Sequence, residues 1–431
     1  MAQSIPQAQP QIVHQPQPEP LRRNFFGGLW HGAFLAFGMA LTQPTTVLAS
    51  FVATLTGSTV WVGGLSTVLT AASAIPQLFV ARLVEARPRK MPFLLLAIYL
   101  RVASWGLLAV LVHLIGATHP DLLAWVLVGL LAVFYAGGGL GGVPYNDIIG
   151  KVIPAGKRGR FFGGKEMLAG PLSVSAALLA RHILVSVPYP DNYALLFGMA
   201  AAGLGVASLG FWLMREPPGP VSTTRPEPWH DYFAHLIIAA RQLKPLIIVQ
   251  LLTGFSLMAL PFYVVYARDV LGAPEAAIGG FMLAQVLGGV AATALWARLI
   301  DRVNSRRMLA TCATLAAITP LLALALGAIA GWRALWLVYL LVGATFSGRT
   351  VGFSSALLEV APATERPTYT ALNAVLTLPI ALLPLLAGML LQRQPYTVLF
   401  GLVAAFVALG AIWTRRLPAP PDRNAGSRAG L

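Results

Sequence analysis

The sequence predicts an all-α polytopic membrane protein whose twelve transmembrane helices form two pseudo-symmetric six-helix bundles. Hydrophobic residues make up 57% of the 431 positions and charged residues only 10%, whereas a soluble chain carries about 25% charged residues. Apolar runs of about 18 residues or more, each able to cross a hydrocarbon core of about 30 Å, recur along the chain. Internal repeats indicate that a six-span unit has been duplicated.

Each long apolar run is interpreted as one membrane span. The predicted spans are residues 25–55, 60–84, 92–116, 122–145, 167–188, 193–214, 245–267, 276–299, 308–331, 334–357, 369–391 and 396–414. The predicted organisation is a disordered Gln/Pro-rich tail (1–21), an N-terminal bundle (22–214), a cytoplasmic linker (215–244), a C-terminal bundle (245–415) and a disordered tail (416–431).

The basic residues behind the net charge of +15 are distributed as the predicted topology requires and do not indicate a nucleic-acid-binding surface. Of the 30 lysines and arginines, 22 lie in segments predicted to be cytoplasmic and two more, Arg82 and Arg298, lie at the cytoplasmic ends of spans two and eight. Three lie in outer loops and three deeper within spans. Positive residues are retained on the cytoplasmic side of a membrane. We therefore expect a multi-pass inner (plasma) membrane protein with both termini in the cytoplasm and no nucleic-acid partner.

Two pairs of similar segments mark the duplication. ARLVEARPRKM at 81–91 resembles ARLIDRVNSRRM at 297–308, and VIPAGKRGRFFGGKEML at 152–168 resembles VAPATERPTYTALNAVL at 360–376. Pro44 and Pro261 in the first and seventh spans are separated by a similar offset. The residues of 215–228 include five prolines and read as a linker, and the apolar stripe of 229–244 predicts an amphipathic helix on the inner membrane surface.

Two six-helix halves joined by a cytoplasmic loop resemble the major facilitator superfamily of secondary transporters. Its hallmark after helices two and eight is G-x-L-x-D-R-x-G-R-K. The first copy here keeps Leu83, Arg89 and Lys90, with Ala81 in place of the first Gly and Glu85 in place of Asp. The second keeps Leu299, Asp301, Arg302 and Arg306, with Ala297 and Asn304 in place of the glycines. The resemblance covers residues 22–415.

The resemblance implies a gating role for these loops. An acid at the cytoplasmic tip of a helix, paired with a cation or a helix N-terminus, would hold the inner side closed until the pair breaks. The expected gating residues are Glu85, Arg89, Lys90, Asp301, Arg302 and Arg306. The alternative for the cations is that they only anchor the chain on the inner side.

Polar residues within spans are costly and are therefore candidates for substrate contact. In the family, helices one, four, seven and ten line the central cavity. Those helices carry Gln43, Tyr135, Gln250, Tyr263 and Arg349, and the flanking helices carry Gln285 and Asn373. The alternative for each amide or tyrosine is a structural hydrogen bond between helices.

Arg349 lies about eight residues from the inner end of its span, roughly 12 Å deep at ~1.5 Å per residue. Snorkelling covers part of that depth only. Three interpretations are open: exposure to the cavity with a direct substrate role, a structural pair with Asp147, or placement facing lipid or the interface.

The distribution of acids favours a neutral apolar or anionic small-molecule substrate, because no Asp or Glu lies near the middle of a span to neutralise an organic cation. The titratable residues best placed to couple transport to protons are His31, Asp147 and Glu359. Gly170-Pro171 resembles the Gly-Pro motif of family antiporters, which favours export.

Other sequence features argue against a dinucleotide-binding site, ATP drive and a bound metal. The sequence AGGGLGG at 136–142 contains G-x-G-x-x-G, but it lies inside a helix, where small residues allow close helix approach, rather than after a strand. The sequence has no phosphate loop, and Cys312 is its only cysteine, so we expect neither ATP drive nor a metal or other cofactor.

The sequence thus predicts a secondary transporter that works by alternating access, most simply as a monomer in the bilayer and with proton coupling. Two other functions stay open. One is a membrane-embedded enzyme, which would need clustered Asp, Glu or His at one face. The other is a non-transporting scaffold or sensor on a transporter fold.

Overall fold

The predicted all-helical architecture is confirmed. The computed structural model describes residues 18–85, 87–218, 229–302, 304–362 and 366–417, and these form helices joined by short turns. Eleven helices are long and apolar enough to span a membrane, and one of them, Ser305–Val360, comprises two crossings joined at the short 3₁₀ turn Gly331–Ala334. The described residues therefore hold twelve crossings.

The spans are numbered here in chain order. Their bounds are Pro18–Leu41, Pro44–Leu48 and Ala49–Thr56 for span one; Thr59–Glu85 for two; Met91–Ile115 for three; Pro120–Val152 for four; Ala155–Ser186 for five; Asp191–Leu213 for six; Trp229–Ala259 and Phe262–Asp269 for seven; Glu275–Arg302 for eight; Ser305–Ala330 for nine; Leu335–Val360 for ten; Arg366–Thr377, Leu378–Leu382 and Leu383–Leu391 for eleven; and Tyr396–Trp413 for twelve. We call the side that holds both ends of this helical chain the inner side, which is the side predicted to face the cytoplasm.

Span five begins at Ala155, twelve residues earlier than the predicted 167. Two features allow this early start. Pro154 occupies the N-cap position of span five, and the guanidinium of Arg158 donates to the carbonyls of Ile153 and Gly150 at the end of span four. Because the last carbonyls of a helix lack helical partners, Arg158 satisfies them and the two helices join without a longer loop.

The amphipathic segment 229–244 is not the separate surface helix that the sequence suggested. It is continuous with span seven in a single helix, Trp229–Ala259, which passes through Pro245. A proline removes only its own N–H bond and usually bends rather than ends a helix that is held by packing. Residues 219–228 of the predicted linker and residues 1–17 and 418–431 of the two predicted tails lie outside the described residues.

Equivalent aromatic residues in the two halves occupy equivalent places. Phe161 in span five is buried and contacts Phe25 of span one edge-on. Tyr369 in span eleven is buried and its hydroxyl donates to the side-chain oxygen of Gln242 in span seven. The inner part of the fifth helix of each half therefore packs against the first helix of that half, as a duplication predicts.

Glycine permits the closest helix contact in the C-terminal half. A Cβ placed on Gly343 of span ten would lie 1.9 Å from the carbonyl oxygen of Gln285 in span eight. No other residue fits at such a contact, and van der Waals packing of this kind is what holds helices together in a membrane. This contact also fixes the position of Gln285 beside the middle of the molecule.

Candidate functional site

Two equivalent spans are interrupted beside the middle of the membrane. Span one breaks at Thr42–Gln43 and resumes as a π-helical turn from Pro44, and span seven breaks at Leu260–Pro261. The freed carbonyl of Gln43 accepts the N–H groups of Thr46 and Leu48. Irregular backbone at membrane depth occurs where it lines a cavity or is buried in protein, and in transporters such breaks adjoin the substrate.

The two breaks border a cavity of about 630 Å³ between the halves. Among the described residues, its lining is apolar with hydroxyl and amide groups and contains no charged residue. The lining residues are Met39, Gln43, Pro44, Thr45, Ser66, Leu69, Thr70, Ser73, Ala74, Tyr135, Leu257, Leu260, Pro261, Gln285, Phe346, Ala374, Thr377, Leu378 and Pro384. A cavity of this size and composition fits a small organic molecule.

Three of the predicted substrate contacts lie in this lining: Gln43, Tyr135 and Gln285. The hydroxyl of Thr45 donates to Oε1 of Gln285 across the interface between the halves, at 2.9 Å. The cavity wall therefore includes a hydrogen bond that joins the N-terminal half to the C-terminal half.

Gln250 and Tyr263 lie elsewhere, which corrects their predicted position. Both are buried inside the C-terminal half, where Tyr263 packs against Tyr339 and Phe400. Both residues lie in span seven, as predicted. The side chains of this span point in several directions, and the sequence does not show which of them face the cavity. Asn373 is absent from the lining of the cavity, although the following residue, Ala374, belongs to it.

Arg349 does not pair with Asp147. Its guanidinium donates to the hydroxyl of Thr253 at 2.7 Å and to the carbonyl of Gln250 at 3.2 Å, and it lies 5.0 Å from the ring centre of Phe353. A cavity of about 30 Å³ adjoins it, and Leu257, Leu260 and Phe346 are shared with the central cavity. The side chain thus points into the C-terminal half beside the central cavity, compensated by neutral acceptors and an aromatic face.

The outer ends of the two halves are held together by hydrogen bonds. Arg268 of span seven donates to the carbonyl of Ser50 and to the hydroxyl of Thr54 in span one. Thr59 at the start of span two donates to the carbonyl of Gly388 in span eleven at 2.9 Å. Near them Asn192 donates to Glu275 at 3.3 Å.

Span two packs against the outer parts of span eleven, Leu378–Leu382 and Leu383–Leu391, whereas the inner part, Arg366–Thr377, packs against span seven of its own half. Together with the outer hydrogen bonds, this closes the cavity to the outside.

Comparison with known proteins gives the same fold. Residues 246–430 match the model of the Major Facilitator Superfamily. A crystal structure of a D-xylose–proton symporter has a TM-score of 0.66 at 18% identity, covering 93% of this chain and 97% of the other. The resemblance to the major facilitator superfamily is confirmed.

Other solved structures of the superfamily are similarly close. The inward-open xylose transporter XylE from E. coli has a TM-score of 0.68 at 13% identity, covering 94% of this chain and 97% of the other. The peptide transporter POT in complex with sulfate has a TM-score of 0.67 at 15% identity, covering 94% and 96%. Comparison with curated protein sequences gives no match. At these identities the likeness shows the major facilitator fold.

The major facilitator fold of this chain carries a cluster of charges at its inner end. Nζ of Lys90 lies 3.0 Å from one carboxylate oxygen of Asp147, and Nζ of Lys151 lies 2.7 Å from the other. Lys151 also contacts Glu216 at 3.1 Å. Asp147, predicted as a coupling residue, is thus held between two lysines.

Glu216 is the residue of this cluster that the sequence analysis missed. Its carboxylate accepts the backbone N–H groups of Lys90 and Met91 at 2.8–2.9 Å, and its side chain is 3% exposed. It thereby caps the N-terminus of span three, where an anion interacts favourably with the helix dipole. The only signal in the sequence was an isolated acid directly after an apolar span.

The C-terminal half has a different contact at the equivalent place. Glu359, at the inner end of span ten, accepts a hydrogen bond from the hydroxyl of Ser305, and Asn304 caps span nine by accepting from the N–H of Arg307. Glu359, the second predicted coupling acid, is therefore engaged by a neutral donor rather than by lysines.

The third predicted coupling residue, His31, is buried in span one. Its ring stacks on Phe211 with centroids 3.8 Å apart, and its Nδ1 lies 3.2 Å from the carbonyl oxygen of Ala207. Because a carbonyl oxygen only accepts, Nδ1 carries a hydrogen. Nε2 is then the nitrogen able to take up a proton.

Of the predicted gating residues, Lys90 belongs to the inner cluster, Arg89 and Arg302 are exposed and Arg306 is partly buried. The side chains of Glu85 and Asp301 lie outside the described part of the structure. Lys90 pairs within its own half, so the pair observed here does not join the halves. The gating role across the inner mouth stays a prediction.

We expect Glu216→Gln to destabilise the N-terminal half, because a buried carboxylate that accepts two backbone N–H groups and a lysine is replaced by a neutral amide. Hydrogen bonds to charged groups contribute about 1.5–3 kcal/mol each, and the amide keeps one acceptor, so the expected loss is roughly 2 kcal/mol. Thermal unfolding of the purified protein, followed by tryptophan fluorescence, measures it.

Glu166→Gln is the matched control. Glu166 is 70% exposed and its nearest cation, Lys165, lies 3.8 Å away, so its replacement should change stability by no more than about 0.5 kcal/mol. Equal melting temperatures for the two variants would contradict the capping role of Glu216.

Proposed function

We propose that this protein is a secondary transporter that moves a small organic solute through the central cavity by alternating access. One observation carries the proposal: a cavity of about 630 Å³, with no charged residue among those described in its lining, lies between two repeated halves whose outer ends are joined by hydrogen bonds. Rocking of the halves about the cavity would break those bonds and expose the solute to the outside.

The chemistry of the lining supports a neutral or anionic substrate. Hydroxyl and amide groups such as Thr45 and Gln285 suit polar neutral groups, and no carboxylate of the described residues lines the cavity to neutralise a cation. The guanidinium groups of Arg101 and Arg349 lie directly behind the wall, since Arg101 donates to Met39 and Arg349 adjoins Phe346. An anionic group at this wall would be attracted by both.

Among the three candidate coupling residues, His31 fits proton transfer best. Asp147 is held by two lysines and Glu359 accepts from Ser305, whereas His31 lines a cavity and keeps one basic nitrogen. Arg101 and Lys165 line the same cavity. These two cations oppose protonation of His31 until a negative charge is near it, which would couple proton uptake to an anionic substrate.

Transport into proteoliposomes tests the proposal against the other two functions. The purified protein should accumulate some member of a panel of radiolabelled neutral and anionic solutes, and an imposed pH gradient of either direction should change the rate and show whether export or import is favoured. A scaffold or sensor would give no flux with any solute, and an enzyme would give chemical conversion of the solute without accumulation.

Cross-linking of the outer ends tests alternating access. In a Cys312→Ala background, the double variant Thr54→Cys/Arg268→Cys should be joined by a short thiol cross-linker, because the Arg268 guanidinium lies 2.8 Å from the Thr54 hydroxyl. Transport should then stop and recover on reduction, while each single variant stays active. Full transport by the cross-linked protein would rule out a mechanism in which the outer ends separate.

His31→Gln should reduce proton-driven accumulation at least tenfold. Exchange of labelled for unlabelled solute should stay intact, because exchange needs no net proton transfer. The variant His182→Gln is the control, since His182 is exposed in the outer part of span five. Unchanged proton-driven accumulation in His31→Gln would remove His31 from the coupling step.

A further inference from the structure

A second cavity, of about 170 Å³, lies within the N-terminal half on the inner side of the central cavity. Four of its lining residues carry polar side chains: His31, Arg101, Tyr145 and Lys165. The remaining lining is apolar or glycine. Since one water needs about 10–15 Å³ measured in this way, the cavity holds on the order of ten water-sized groups.

The guanidinium of Arg101 has no acidic partner among the described residues. Its Nη2 lies 3.2 Å from the sulfur of Met39, its Cζ lies 4.5 Å from the ring centre of Phe134, and its Nε is buried without a hydrogen-bond partner. A thioether and an aromatic face compensate a buried cation only in part. Among the described residues, no oxygen atom accepts a hydrogen bond from the guanidinium of Arg101.

Lys165 and Tyr145, which also line the cavity, likewise offer hydrogen-bond donors. The stem of Lys165 lies against Gly32, where a Cβ would meet its Cγ at 2.3 Å, and its nearest acid is the exposed Glu166 at 3.8 Å. The hydroxyl of Tyr145 is buried without a partner. Two cations and one unused hydroxyl donor thus face a space that no carboxylate of the described residues enters.

The glycine run of span four creates this space. At Gly137 a Cβ would lie 3.1 Å from Cγ of Arg101, so this glycine makes room for the arginine stem. At Gly138 the nearest atom would be Cζ of Arg101 at 3.9 Å, and at Gly142 nothing lies within 4 Å. Close helix packing therefore accounts for Gly137, whereas Gly138 and Gly142 face open volume beside the guanidinium.

We propose that this cavity, which we call the Arg101 pocket, binds the carboxylate of a small organic anion. The guanidinium supplies the planar fork that accepts a carboxylate in a bidentate manner, Lys165 adds a second positive charge, and the Tyr145 hydroxyl can donate. The volume leaves room for a carboxylate and a short apolar body. Met39 contacts the Arg101 guanidinium and also lines the central cavity. That the bound anion takes part in transport rests on the proposed function.

Calorimetric titration of the purified full-length protein in low-salt detergent solution tests the pocket. Benzoate should bind and benzamide, its neutral isostere, should not. Arg101→Gln should weaken benzoate binding at least about tenfold, the loss of one charge-assisted contact, and Arg101→Lys should recover part of it. The control Arg160→Gln removes an exposed cation from span five and should bind as the unaltered protein does.

Gly142→Leu provides a variant that keeps every charge. Its side chain would enter open space, so the fold should persist while the pocket is filled and benzoate binding is lost. Benzoate binding that survives in both Arg101→Gln and Gly142→Leu would overturn the proposal, as would equal binding of benzamide or tighter binding of inorganic phosphate. Because the titration needs no vesicle or gradient, absence of transport with binding intact would count against the proposed function alone.

Discussion

The cost of an uncompensated charge or backbone group in hydrocarbon governs the arrangement of this chain. Where spans one and seven break, at Pro44 and Pro261, the freed backbone adjoins the central cavity instead of lipid. Two arginines within the spans are turned towards an interior space and a ring, Arg101 to Phe134 and Arg349 to Phe353. Cavities and buried cations are therefore found together in both halves.

The two halves, built on one duplicated plan, have diverged in how they compensate charge. The inner end of the N-terminal half is joined by ion pairs among Lys90, Asp147, Lys151 and Glu216, which connect span three, span four and the segment after span six. Among the described residues at the equivalent place in the C-terminal half, Glu359 accepts from Ser305 and no ion pair is present. A bundle joined at its inner end by several partly buried charges is suited to moving as one body, which the proposed rocking of one half against the other requires.

The sequence predicted the crossings and the duplication because each depends on local hydropathy or on repeated residues. Pro44 and Pro261 were recognised as repeated residues, but the helix breaks beside them were not predicted. It predicted Gln43, Tyr135 and Gln285 in the cavity because their helices border the interface. It misplaced Gln250 and Tyr263 because the rotation of a helix that is apolar on all sides is set by its neighbours. Glu216 was missed for a related reason: its partners, Lys90 and Met91, are more than 120 residues away in the chain.

The comparison of the two buried arginines argues for a ligand at only one of them. Arg349 donates to two neutral oxygens, those of Thr253 and Gln250, and the space beside it, about 30 Å³, has room for a few waters. Arg101 has a sulfur and a ring as neighbours and about 170 Å³ of space. An arginine that donates to two protein oxygens stabilises the bundle that holds it. An arginine with an unused donor beside an open space gains most from an incoming oxyanion, and the charge that this anion brings would also make it easier for His31, in the same pocket, to take up a proton.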